Sequence, residues 1–363
     1  MGVTVGAAVV AAALTFGGGG EVISFGANAA ALSLLAMVIG NATEEISTHL
    51  GPGATGVLQA ALGGLPELFV CIFSLRAGLV QVVQAALIGS ILANSLLVLG
   101  LAILVGGVKH GRQRFDAEPP RMIASLMMLA VSALVFPTLA AELHTPAAAH
   151  ESALSAASAI FLLIVFVASI PFSLRSDPEH SVRHRDVRDT AAGIGRGAAV
   201  APSPAEAAPP GWPLWLSVVV LAVAALGAGF VSEWFVKTLE PAMHAVGFSQ
   251  AFAGIVVVAI ASNAVENVVG IRLAAKNKPD YAMSAVLNSS LQIAMGLIPL
   301  LVLLSFVLGG PVLTLVLPPL LIAALLLTTL TTAIIVNDGE TIWLEGVALI
   351  GLYCIIAAAF WWG

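Results

Sequence analysis

Apolar and polar positions fall in long blocks along this chain, not in short alternating periods. Ten nearly uncharged runs stand out, at about 22–40, 50–75, 79–106, 122–141, 152–174, 213–231, 248–271, 281–308, 311–336 and 341–362. An eleventh, at 3–18, is shorter and marginal as a spanning segment. A helix rises about 1.5 Å per residue, so roughly 20 residues cross a bilayer's hydrocarbon core. Strands of a membrane barrel would appear as runs of about ten alternating residues, which these are not. The pattern predicts an all-α polytopic membrane protein of about 11 helices.

Composition supports this class. Hydrophobic residues make up 59% of the 363 and charged residues only 9%, against roughly a quarter charged in soluble domains. The net charge of −6 therefore matters less than where the charges sit. Loops between successive spans fall alternately on two faces. One face receives Lys109, Arg112, Arg114 and Arg121, then Arg175, Arg183, Arg185, Arg188 and Arg196, then Arg272, Lys276 and Lys278. The other has Arg76 and Lys237. Basic loops stay inside, which predicts an outside C-terminus and, if 3–18 spans, a cytoplasmic N-terminus. Run 3–18 has no basic residue ahead of it and no cleavage-like region after it, so it is not expected to be a signal peptide. Cys71 and Cys354 both fall in spans and are expected to be buried fillers, not a redox pair.

Residues 175–212 contain Pro202, Pro204, Pro209 and Pro210, with arginines and acids in equal number. Such a stretch predicts a flexible cytoplasmic linker. It divides the chain into a marginal first helix (1–18), a five-helix repeat (22–174) and a second five-helix repeat (213–363). Glu67 and Glu266 are 199 residues apart, as are Ser90 and Ser289, so an acid and a hydroxyl recur in register on consecutive spans. Five is odd, so the second repeat enters from the opposite side. Inverted repeats characterise secondary transporters, whose sites lie at the repeat interface near the midplane.

A carboxylate in hydrocarbon costs on the order of 3 kcal/mol, so Glu67 and Glu266 need a cavity, a cation or each other. Structural protonated acids are the plainer alternative. Pro66 lacks an amide hydrogen, and Gly63 and Gly64 loosen the same turn, so the carbonyls of Leu62, Gly63 and Gly64 are candidate oxygen ligands. Asn263 shares a helical face with Glu266, as Ser90 does with Asn94 and Ser289 with Gln292. This all-oxygen set suits a hard cation such as calcium, and no His/Cys spacing points to zinc or copper. For Glu44, Glu45, Glu233 and Glu240, entrance-lining and interfacial readings both stay open. Asp338, Glu340 and Glu345 read as loop or helix-start acids.

Several blocks resemble the calcium/proton exchanger family of the calcium/cation antiporter superfamily. They include ATEEISTHLGPGATGVLQAALGG leading into Glu67, GSILANSLLVLG at 89–100 and NAVEN at 263–267. KNKPDYA at 276–282, SSLQIA at 289–294 and DGETIWLEG at 338–346 continue the match, which runs from about residue 28 to the end. The resemblance implies that Glu67 and Glu266 bind calcium and protons in alternation. The family motif reads Gly-Asn-Ala-x-Glu; here Gly64 stands in the Asn position of the first copy and Leu65-Pro66 precede the acid. Asn267 stands where the second copy usually has His. The Pro-Glu-Leu ending is closer to sodium/calcium exchangers.

These readings together predict a calcium/proton antiporter of the cell (inner) membrane with no permanently bound cofactor. Its partners would be Ca2+, H+ and the lipid bilayer, with no nucleic acid; a homo-oligomer is compatible. The alternatives are sodium or potassium/proton antiport, sodium/calcium exchange, a passive channel, or an intramembrane enzyme. The last would need a nucleophile–base or metal constellation, and the sequence offers none.

Overall fold

A computed structural model describes residues 2–49, 62–175 and 211–362. Twelve helices of eight or more residues organise them: α1 (Gly2–Gly17), α2 (Glu21–Ser47), α3 (Leu65–Arg76), α4 (Val80–His110), α5 (Glu118–Glu142), α6 (Glu151–Arg175), α7 (Leu214–Val246), α8 (Gln250–Ser262), α9 (Ala264–Ala275), α10 (Pro279–Ser305), α11 (Pro319–Ile335) and α12 (Trp343–Ala359). By length and composition, α2, α4, α5, α7, α10 and the segment Pro146–Ser169 can each cross a membrane. The pair α8–α9, bent by 66° at its junction, makes a seventh, and α1, α11 and α12 are shorter apolar helices. Each of the eleven apolar runs thus contains helix. Residues 50–61, the first half of the predicted run 50–75, and most of the predicted linker 175–212 lie outside the described residues.

Outward-facing positions on these helices are apolar. Phe136 on α5, Ile164 on α6 and Leu226 on α7 are each more than 60% exposed, the inverse of a water-soluble surface and suited to lipid. Inside, one apolar core joins α4, α5, α10, α11 and α12, and a second joins α1, α2 and α7 to α3, α4 and α8. Small residues let backbones approach. A Cβ on Gly346 of α12 would stand 2.5 Å from the carbonyl oxygen of Gly100 on α4, a close crossing that only glycine permits.

Three boundaries differ from the sequence reading. The run 213–231 continues as helix to Val246, so Glu233 and Glu240 lie on α7 and not in a loop. Its continuation is helical because Phe235, Val236, Leu239, Ala242 and Met243 are buried along it, with Glu233 paired to Lys237 one turn on at 2.7 Å, until Gly247 ends it at φ 84°. The run 22–40 likewise extends to Ser47, placing Glu44 and Glu45 in the last turn of α2. The run 311–336 is helical only from Pro319.

Residues 311–317 instead thread through the protein in a non-helical conformation, with Leu313, Leu315 and Leu317 buried. Unpaired backbone groups at that depth would be costly, and side chains from other helices satisfy them. Gln84 Nε2 donates to the carbonyls of Thr314 (3.1 Å) and Val316 (2.9 Å). Ser305 and Ser155 accept from the amides of Leu313 and Leu315. Thr138 accepts from Leu317 and donates to Leu315. Cys71 is buried as expected, whereas Cys354 lies exposed on α12 because its position faces outward; both are free thiols.

Three loops gather at one end. The two-residue strands β1 (Gln113–Arg114) and β2 (Glu340–Thr341) pair antiparallel, Arg112 and Arg114 both reach Glu340 at 2.9 Å, and Asp280 accepts from the amide of Asp116 at 2.7 Å. The basic segments 109–121 and 272–280, placed on one face by charge alone, are therefore neighbours. Glu345 accepts from the amide of Ile342 at 3.0 Å and caps α12, the helix-start role read from sequence.

Candidate cation site

The offset of 199 residues seen between the two glutamates is built into the backbone. Helices α3 and α9 start at Leu65 and Ala264, and α4 and α10 at Val80 and Pro279, each pair 199 apart. The residue preceding each short helix adopts a similar conformation, φ −84°, ψ 9° at Gly64 and φ −103°, ψ 28° at Asn263. Each accepts the first bond of its helix, from Leu68 to Gly64 at 2.9 Å and from Asn267 to Asn263 at 3.1 Å. Glu67 and Glu266 thus lie in the first turn of new helices, and for Glu266 that turn falls at the break within the bent span α8–α9. Pro66 is in that first turn as well, where its missing N–H breaks no bond. The Gly64 carbonyl, a candidate oxygen ligand, is a helix-starting acceptor with one lone pair left.

Both glutamates open onto one cavity of about 320 Å3 between the halves, which Gly64, Asn263, Ser289 and Gln292 also line. Glu67 is 1% exposed. Ser90, wholly buried, donates to Glu67 Oε1 at 2.5 Å. Asn263 Nδ2 in turn donates to Ser90 Oγ at 2.8 Å and to the Ala259 carbonyl at 2.9 Å, which also accepts from the Asn263 backbone amide at 3.3 Å. Asn94, also wholly buried, donates to Ser289 Oγ at 3.0 Å. It sits in a π-helical segment of α4 (Ala93–Val98) that recurs in α10 (Ile293–Leu297); such bulges often mark functional sites.

Of the residues singled out from sequence, Glu67, Glu266, Asn263, Gly64, Ser289 and Gln292 meet at the cavity. Ser90 and Asn94 stand behind it, one against Glu67 and one against Ser289. Leu62 and Gly63 are not among its lining. Sequence reasoning missed the apolar wall made by Leu68, Leu163, Phe166, Ile293, Gly296, Leu297 and Leu300. Phe166 packs on Gly296, where a Cβ would lie 3.3 Å from the ring; nothing in an apolar run marks these positions. Glu45 accepts from the amide of Trp212 at 3.2 Å, and Glu233 is held by Lys237. Among the described residues, no three His, Cys, Asp or Glu side chains converge as a metal cluster. The site therefore has two carboxylates supplemented by neutral oxygens.

A helical membrane protein with a doubled motif, in which two short helices start at a cavity between its halves with a glutamate in each first turn, belongs to the class of secondary transporters. Comparison with known proteins narrows the class. Residues 21–175 and 216–362 match the sodium/calcium exchanger protein family. The chain is 36% identical over 353 residues to a Ca(2+)/H(+) antiporter of Synechocystis, covering 94% of this chain and 92% of that one. It is 34% identical to the Ca(2+)/H(+) antiporter ChaA of Bacillus subtilis, covering 90% and 88%. The solved structure of native YfkE superposes with a TM-score of 0.81 at 28% identity, over 99% of this chain and 98% of that one. The H+/Ca2+ exchanger CAX shares the fold with a TM-score of 0.67 at 16% identity, over 97% and 91%. This chain belongs to the calcium/proton exchanger family within the sodium/calcium exchanger superfamily. It is an all-α polytopic membrane transporter of two inverted repeats.

Proposed function

We propose that this protein exchanges calcium for protons across the cell membrane by alternating access, with Glu67 and Glu266 as the oxygens that both ions share. The observation that carries the reading is that two carboxylates from equivalent positions of two repeats open onto one cavity, which Asn263, Ser289 and Gln292 also line. Calcium takes six to eight oxygen ligands in flexible geometry. The cavity offers two carboxylates, the Ser289 hydroxyl, the Gln292 amide and the remaining lone pair of Gly64. Its volume equals about ten water-sized shares of liquid, room for a cation that keeps part of its hydration shell.

Exchange follows from charge. Two ionised glutamates attract a divalent cation, and two protons cancel the same charge, so the loaded and protonated sites are both electrically compensated. An empty, doubly charged site would carry on the order of 3 kcal/mol per carboxylate through the apolar interior, which disfavours reorientation without cargo. Ser90 accepts from Asn263, and this fixes its O–H toward Glu67. Its role is to orient the carboxylate. The basic loops are assigned to the cytoplasm, as is the linker 175–212, so inward proton flow would drive calcium out.

Sodium in place of one ion is the second reading, favoured by Gly64, which removes an amide from the first motif, and by the Pro-Glu-Leu sequence. Calcium uptake by energised everted membrane vesicles, with sodium as competitor, separates the two. The expected result is proton-gradient-dependent calcium uptake that is lost in Glu67→Gln and in Glu266→Gln and is unaffected by sodium. Undiminished uptake in either variant overturns the two-glutamate mechanism.

A further inference from the structure

One hydrogen bond at the repeat interface departs from the internal symmetry. Asn263 of the second half donates to Ser90 of the first. The 199-residue register maps Asn263 onto Gly64 and Ser90 onto Ser289, so the matching bond would run from residue 64 to Ser289. Glycine has no amide to give. Ser289 nevertheless receives one, from Asn94 of α4 at 3.0 Å. The position equivalent to Asn94 in the second half is Ile293, which is apolar. Each half therefore supplies one amide to the other half's serine, but from different positions.

Nothing in the backbone requires glycine at 64. Its φ of −84° is open to any residue, and among the described residues a Cβ there would meet no atom within 4 Å. The amide has been dispensed with where it would fit. Asn94, meanwhile, is wholly buried, its Nδ2 bond to Ser289 is its one side-chain bond among the described residues, and its Oδ1 has no partner there. A buried amide so poorly satisfied is costly to keep unless the bond it makes is needed.

We propose that Asn94 is a positioning residue of the transport site: it orients the Ser289 hydroxyl in the cavity, taking the part that symmetry gives to residue 64. It acts through Ser289 and does not itself line the cavity. The inference rests on reading the cavity as the cation site. A plain packing role between α4 and α10 is the competing account, since Ser95 and Ser290 already link those helices alongside, at 3.1 Å.

Titration of the purified full-length protein with calcium chloride, and separately with sodium chloride, in a calorimeter at alkaline pH decides between them. Asn94→Ala is expected to weaken calcium binding about tenfold, the loss of one buried hydrogen bond. Gly64→Asn combined with Asn94→Ala is expected to recover affinity to within about threefold of wild type, because the new amide faces Ser289 from the symmetry-related side. The same Gly64→Asn change is expected to give no recovery in Ser289→Ala. Asn94→Ser, too short to reach Ser289, is the second variant if Asn94→Ala does not fold; it carries the same expectations. Wild-type affinity in the Asn94 variants, or a double variant no better than the single, overturns the proposal in favour of packing. Binding that is intact in wild type and lost in Glu266→Gln but unmoved by Asn94 variants sinks this inference alone. A wild type that binds neither cation overturns the cation reading and this inference with it.

Discussion

Asn263 reaches across the repeat interface to Ser90, with its Nδ2 2.8 Å from the serine hydroxyl, and Ser90 passes the contact on to Glu67 at 2.5 Å. Two hydrogen bonds thus connect the broken helix of the second half to the carboxylate of the first. Glu67 is oriented by its partner repeat as much as by its own helix.

That linkage makes Ser90 and Asn263 energetically dependent. Ser90→Ala and Asn263→Ala are each expected to weaken calcium binding about tenfold, the first by removing the bond to the carboxylate and the second by releasing the hydroxyl that makes it. Together they are expected to cost much less than the product of the two effects, because each removes the same chain. A double-variant cycle measured by calorimetry checks this; additive losses would mean that the two side chains act separately.

Calcium affinity is expected to depend steeply on pH. A protonated carboxyl has no charge for the cation, so binding is strongest at high pH and is lost as pH falls. If two sites compete, log Kd rises by up to about two units per pH unit within the titrating range. Calorimetry at a series of pH values reads the slope directly. Each single Glu→Gln variant that still binds is expected to halve it.

Gln84 is expected to matter for stability and not for the ion. Gln84→Leu would leave the carbonyls of Thr314 and Val316 without the donor that now serves both. Two buried acceptors left unpaired cost about 2–6 kcal/mol. Thermal unfolding in detergent should fall by several degrees, with calcium affinity in the surviving protein within about twofold of wild type.

This segment also shows where the sequence stops being legible. Residues 311–318 are as apolar as a helix, and hydropathy alone cannot tell a span from a buried extended strand. What distinguishes them is Pro311, Pro318 and Pro319, together with partners at Gln84, Thr138 and Ser155 that are far away in the chain. The helix count, the doubled motif and the pair Glu67–Glu266 were readable, because a charge in an apolar run and a fixed offset are local signals. The orientation of Ser90 toward Glu67 was not, nor was the outward face of Cys354, since both depend on which helices meet. The extent of α7 was missed for another reason: the Glu233–Lys237 pair makes a polar stretch look like a loop while stabilising it as helix.

The charge pairs at the loop-rich end should contribute little. Arg112 and Arg114 are 63% and 73% exposed where they meet Glu340, and pairs in water are worth about 1 kcal/mol or less. Glu340→Gln is expected to leave the unfolding temperature nearly unchanged, and the small shift should vanish in high salt. A large loss would show that the β1–β2 pairing depends on these charges.

The central claim, that calcium and protons share Glu67 and Glu266, is tested most directly by proton release. Calcium is added to purified protein in weakly buffered solution near neutral pH, and the pH change is recorded. The account predicts release that saturates with calcium binding, falls by about half in whichever of Glu67→Gln and Glu266→Gln still binds calcium, and disappears when both are changed. Saturable calcium binding without proton release, or release that survives both substitutions, would contradict it.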